Sequence, residues 1–137
     1  MDAQELKGVE LFSSLNKHEL RFVAQQADKI HVPAGTRLAT EGRFAYEFFV
    51  IEDGTADVIR DEAPIATLGP GDFFGEIALL ESERRTASVV AQTAMQLIVV
   101  TGGSFRMIDR EMPSVAQRIR DTMKQRLADD DRIVAGE

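Results

Sequence analysis

Between Ile30 and Val100 the chain is cut into short apolar runs by turn residues at close intervals, and few folds accept that pattern. The punctuation is Pro33-Ala34-Gly35, Glu41-Gly42, Asp53-Gly54 and Gly69-Pro70-Gly71-Asp72. Glycine supplies left-handed backbone and proline a preset φ, so each group ends a strand for a physical reason. The runs between them, among them Phe48-Phe49-Val50-Ile51, Val89 to Ala91 and Leu97 to Val100, have strand length. Many short strands so spaced predict a β-sandwich or barrel. One stretch interrupts the pattern. Phe73 to Leu80 does not alternate and is rich in good helix formers, which predicts a single helical turn inserted among the strands.

Helices flank this zone. Residues 1–29 read as a helical lead. Asn16 is placed as an N-cap, with Glu19 completing a capping box and Leu20, Val23, Ala24 and Ala27 following at helical spacing. After the strands, Ser104 to Glu111 predicts a short helix, and Pro113 marks the start of another. In the latter, Val115, Ile119, Met123 and Leu127 recur every four residues, giving a narrow apolar stripe. The expectation is one domain over 1–137, divided into 1–29 (lead), 30–100 (β) and 104–132 (C-terminal helices), with a polar end that frays.

Composition excludes several functions. The chain of 137 residues has no cysteine, so disulfides and thiolate chemistry are out. Its 16 cations against 23 acids give a net charge of −7, and no Lys/Arg cluster offers a polyanion surface. Direct nucleic-acid binding is therefore not expected. The start, Met1 to Phe12, lacks the pattern of a signal peptide, and no apolar run approaches a membrane span. A cytoplasmic protein with no membrane partner is the expectation. The two histidines, His18 and His31, lie in or near the helical lead, and no nucleophile with a base can be assigned, so no enzyme is expected.

The chemistry concentrates between Gly71 and Val89. Gly75 permits close backbone approach at the start of a helical turn, whose first N–H groups form an anion site. Arg85, nine residues after Glu76, offers a planar fork suited to phosphate. Glu76, an acceptor when ionised, suits a hydroxyl rather than the phosphate. Together they meet the needs of a sugar phosphate. Each residue also has a plain reading: Glu76 as a carboxylate favoured at a helix start, Arg85 as an exposed cation beside Glu81 or Glu83, Thr86 as a strand residue, Gly71 and Asp72 as turn formers.

Phe74-Gly75-Glu76-Ile77-Ala78-Leu79-Leu80 followed by Arg85-Thr86-Ala87-Ser88-Val89 resembles the phosphate-binding cassette of the cyclic nucleotide-binding domain family. That family includes catabolite activator proteins, regulatory subunits of cyclic-AMP-dependent protein kinase and cyclic-nucleotide-gated channels. Leu11-Phe12, Gly35 with Leu38, Glu41-Gly42 and Phe49-Val50-Ile51 with Gly54 extend the resemblance over roughly residues 6–127. It implies a mainly β fold with flanking helices: an eight-stranded antiparallel jelly-roll β-barrel with a helical lead, a short phosphate-binding helix and a C-terminal lid helix.

The resemblance also implies roles. Glu76 would accept from the ribose 2′-hydroxyl, and Arg85 would pair with the cyclic phosphate. The backbone of Gly75, Ile77 and Ala78 would lie against the ribose phosphate, with Thr86 and Ala87 reaching phosphate or base. Ile119 and Met123 are candidates for a lid over the base; the apolar stripe alone equally allows packing on the sheet or on a partner chain. The family's glycine and proline before the arginine are replaced by Glu81-Ser82-Glu83-Arg84, and Arg85, not Arg84, keeps the spacing from Glu76.

The implied function is binding of a 3′,5′-cyclic nucleotide monophosphate, cyclic AMP favoured over cyclic GMP, by a stand-alone sensor or a piece of a larger protein. It would signal by movement of the C-terminal helix near Pro113 to a protein partner or fused effector. No cofactor is expected, and the unit would be a monomer or a homodimer through that helix. The alternative is an interaction module of the same fold that binds no nucleotide.

Overall fold

The structure, a computed structural model, describes residues 1–43, 46–75, 85 and 87–129 of the 137. Among the described residues, eight strands form two four-stranded antiparallel sheets. The strands are β1 (Asp28–Val32), β2 (Arg37–Ala39), β3 (Glu47–Asp53), β4 (Ala56–Arg60), β5 (Ala63–Leu68), β6 (Phe73–Phe74), β7 (Ser88–Ala91) and β8 (Met95–Thr101). The first sheet has the order β1-β8-β3-β6 and the second β2-β7-β4-β5. The fold is mainly β with flanking helices, but it is not the closed barrel expected. Among the described residues no ladder joins one sheet to the other. The chain passes from β1 to β2 through Pro33, which has no N–H for a ladder, and a turn in which Thr36 N donates to Pro33 O (3.3 Å).

The apolar runs show which sheet is covered. In β3, Phe49 and Ile51 enter the cluster between the sheets with Val58, Leu68, Val89 and Leu97. Phe48 and Val50 face the opposite way, into a second cluster with Phe12, Val23, Phe105 and Ile119. β8 divides likewise, Leu97 and Val99 inward, Ile98 and Val100 toward the helices. A strand buried on both faces reads as a continuous apolar run. β4 lies in the second sheet and alternates instead, with Ala56 and Val58 buried and Asp57 and Ile59 half-buried.

The helices follow local rules. α1 (Ala3–Lys7) is capped by Asp2, and a 3-10 turn follows at Glu10–Phe12. α2 (Lys17–Gln26) opens with the expected capping box: Asn16 Oδ1 accepts from Glu19 N, and Glu19 Oε1 accepts from Asn16 N, both at 2.9 Å. α3 (Gly102–Glu111) begins directly at the end of β8, with the Thr101 hydroxyl accepting from Ser104 N at 3.1 Å. α4 (Pro113–Asp129) starts on its proline. It is held to α2 by the Arg118–Glu19 ion pair and to α3 by Arg120–Asp109 at 3.1 Å. Its stripe of Val115, Ala116, Ile119 and Met123 is buried within the chain's own helical cluster. Residues 130–137, including the end expected to fray, lie outside the described residues.

Phe73 and Phe74 belong to a strand, not to the expected helical turn. They pair with Val50 and Phe49 of β3, and the remainder of that turn falls on residues 76–80, outside the described ones.

One polar group in the helical layer is strained electrostatically. Glu52, on β3, is mostly buried, and its Oε1 accepts no hydrogen bond among the described residues. Lys29 lies 3.9 Å from it but is engaged at 2.9 Å by Glu5. Burial first, and then the nearby Glu5 charge, raise the Glu52 pKa above the usual carboxylate value. A carboxyl whose folded pKa is raised favours the native state while protonated, and that contribution is lost as pH rises through the folded value. Glu52→Gln is therefore expected to melt roughly 3–5 °C above wild type at pH 7. The gap should close toward pH 4 in a pH series of thermal melts.

Candidate functional site

The site is built where β3 begins and β6 ends. Gly69-Pro70-Gly71-Asp72 forms a closed turn. Asp72 N donates to Gly69 O (3.0 Å), and the buried Asp72 carboxylate accepts from Gly69 N (2.8 Å). Gly71 N donates to Ile51 O, and Ile51 N to Asp72 O, both at 2.9 Å. The turn thus fixes the two-residue β6 on β3, and β6 delivers Gly75.

Gly75 has φ +80° and is buried. A Cβ here would lie 2.5 Å from Glu47 O and 2.9 Å from Arg85 Nη1, so only glycine fits in both conformation and space. Arg85 itself is 5% exposed. Its Nη2 donates to Glu47 O at 2.8 Å. Its backbone is held at both ends by the turn after β2: Arg85 N donates to Arg43 O (2.7 Å), and Gly42 N to Arg85 O (2.9 Å). Ala87, two residues on, is fully buried in the cluster between the sheets. On the other face of β7, the Ser88 hydroxyl accepts from Glu41 N (2.9 Å) and Arg37 Nη1 (3.2 Å), which steadies the same turn.

Of the residues singled out from sequence, Gly75 and Arg85 come together at this point, and Ala87 lies beside them in the chain. Glu76, Ile77, Ala78 and Thr86 lie outside the described residues, as do Glu81 to Arg84. Ile119 and Met123 are placed elsewhere, in the helical cluster with Phe48 and Phe73 and not in the inter-sheet cluster that holds Ala87. Sequence reading missed Glu47, and it placed a turn at Glu41-Gly42 without its main-chain bonds to Arg85. Both act through backbone atoms, which carry no residue-type signal.

The chemical capacity is specific. A guanidinium has five N–H donors, and anchoring one of them on the Glu47 carbonyl fixes the plane for bidentate pairing with an anion. Exclusion from water strengthens such a pair. Among the described residues no group of three or more His, Asp or Glu is placed to hold a metal, and no helix is long and apolar enough to cross a membrane.

These features define a class: a two-sheet β-domain with flanking helices and a polar site centred on a buried arginine. Comparison with known proteins makes the class definite. A model of the cyclic nucleotide-binding domain matches residues 29–111, more than half of the chain. The cAMP-dependent protein kinase regulatory subunit of Aspergillus niger is 33% identical over 115 residues, 82% of this chain and 28% of that protein. The Thermus thermophilus catabolite activator protein matches with a TM-score of 0.74 at 26% identity, over 87% of this chain and 58% of that one. The regulatory subunit of a cAMP-independent protein kinase A from Trypanosoma brucei gives a TM-score of 0.78 at 22% identity, over 91% and 44%. The chain belongs to the cyclic nucleotide-binding domain family. It spans little more than a quarter of the length of the Aspergillus relative.

Gly75→Ala is expected to destabilise the fold by about 1–3 kcal/mol, because a side chain is forced into a left-handed backbone and against Glu47 O. Urea denaturation measures it. Gly35→Ala, at φ +88° but with open space around its Cβ, is the control and should cost less.

Proposed function

We propose that this chain binds a 3′,5′-cyclic nucleotide monophosphate, cyclic AMP in preference to cyclic GMP, and passes its occupancy to an effector, fused or separate. The observation that carries the reading is Arg85: a buried guanidinium oriented on Glu47 O beside a glycine that leaves no room for a side chain. In this reading Arg85 neutralises the cyclic phosphate. Glu76 accepts from the ribose 2′-hydroxyl, the backbone of Gly75, Ile77 and Ala78 lines the ribose phosphate, and Thr86 and Ala87 reach phosphate or base. No metal or cofactor is needed, since the ligand's charge and hydroxyl are each matched by a side chain. The strand orders of the two sheets support reading the sandwich as a jelly roll.

The output is a movement of α4 about Met112 and Pro113. In the described arrangement α4 is clamped to α2 and α3 by Arg118 and Arg120, with Ile119 and Met123 buried beneath it. A lid role for those two residues therefore requires α4 to leave this position. Ligand and α4 would be coupled by about 1–3 kcal/mol.

A second reading has its own observation. A neighbour of the same fold is described as cAMP-independent, so the fold does not by itself fix the ligand. That reading is an interaction module without nucleotide.

Calorimetry on wild type and Arg85→Ala with cyclic AMP and cyclic GMP separates the two. Wild type is expected to bind, and the variant to lose at least roughly 30-fold in affinity, the effect of truncating one partner of a desolvated charge pair. Equal binding by the variant would overturn the role of Arg85, and no binding of either nucleotide by wild type would leave the interaction module.

A further inference from the structure

β6 has two residues, and their side chains enter different cores. Phe74 lies in the inter-sheet cluster with Ala87 and stacks on Phe49, ring centroids 4.8 Å apart. Phe73 lies in the helical cluster with Ile119 and Met123, its ring 5.6 Å from that of Phe48. Phe73 also lines a groove together with Leu11 of the 3-10 turn and Thr122 of α4. The next residue after this pair is Gly75, whose backbone abuts Glu47 O and Arg85. One dipeptide thus connects the anion site to the layer that holds α4.

We propose that Phe73 is the positioning residue through which occupation of the Arg85 site reaches α4. The proposal rests on the cyclic nucleotide reading above and adds the physical link. Among the described residues β6 pairs with β3 at two positions, whereas β8 pairs with β3 at six, so beyond the Gly71 and Asp72 bonds to Ile51 β6 has the shortest ladder of that sheet. An anion drawn against Arg85 and the Gly75 backbone displaces Gly75. Consecutive Cα atoms keep a fixed spacing, so β6 moves with it. Close-packed interiors do not absorb such shifts, and the Phe73 ring then presses on the cluster beneath Ile119 and Met123.

The plain alternative is that Phe73 is only a core residue. A core residue stabilises the free and bound states alike. A coupling residue must contact α4 differently in the two states, and that difference is measurable.

The test is hydrogen exchange of the full chain, free and saturated with cyclic AMP, read at the amides of residues 115–123. Wild type is expected to change its exchange there by at least about fivefold, the lower range of allosteric coupling. Phe73→Leu is expected to bind the nucleotide by calorimetry while the change shrinks to less than about twofold. Phe49→Leu, a core change of the same size in the inter-sheet cluster, keeps the response. Should the leucine variant not fold, Phe73→Met serves instead, because the flexible thioether fills irregular space. A Phe73 variant that binds and responds like wild type overturns the proposal, as does a wild type that binds without any response in α4. A wild type that binds neither nucleotide fails first in calorimetry, and that result removes the ligand reading together with the link built on it.

Discussion

β3 is a wall shared by two cores, and the other elements are arranged by which side of it they bury. Four consecutive apolar residues, Phe48 to Ile51, point alternately into the helical layer and into the space between the sheets. Each of them is 1–2% exposed. At about 25 cal/mol per Å² of apolar surface removed from water, no single hydrogen bond in the domain competes with that burial. Helices must therefore cover one face of the first sheet, and the second sheet must cover the other. The N-terminal lead and the C-terminal helices, far apart in sequence, meet on the same face because that is where the uncovered side of β3 and β8 lies.

The polar site is assembled at the end of this wall from backbone more than from side chains. Glu47 contributes its carbonyl, Gly42 and Arg43 contribute main-chain bonds, and Gly75 contributes the absence of a Cβ. Among the described residues, Arg85 is the charged side chain fixed there. An arginine set in this way has lost most of its rotamer freedom before any ligand arrives, which lowers the entropic cost of binding.

The fold was largely legible in the sequence wherever one local rule decided the outcome. The capping box at Asn16 and Glu19, the apolar run of β3 and the proline start of α4 are of this kind. The runs could not show that the sheets stay separate, because a strand of a barrel and a strand of a sandwich bury the same residues. The turn between β4 and β5 was not visible either. It is made by Asp61 and Glu62, at φ +52° and +66°, without the glycine that usually marks such a turn. Phe73 and Phe74 were assigned to a helical turn on composition, and pairing with β3 overrode it. In the site, Gly75 and Arg85 were legible through their motif, whereas Glu47 was not, since any residue type supplies the same carbonyl.

Glu19 joins α2 to α4 through a single carboxylate. One oxygen closes the cap of α2 by accepting from Asn16 N, and the other pairs with Arg118 of α4. The bond from the Asn16 backbone, and then Arg118, hold its pKa below the usual carboxylate value. The stability it contributes is therefore present above the ordinary carboxylate range and is lost as pH falls through that lowered value. A single protonation loosens a helix start and a helix-to-helix clamp together. In acid, one proton weakens two joints at once, leaving the apolar cluster and the Arg118 bond to Ser14 O to hold α4 against the N-terminal lead.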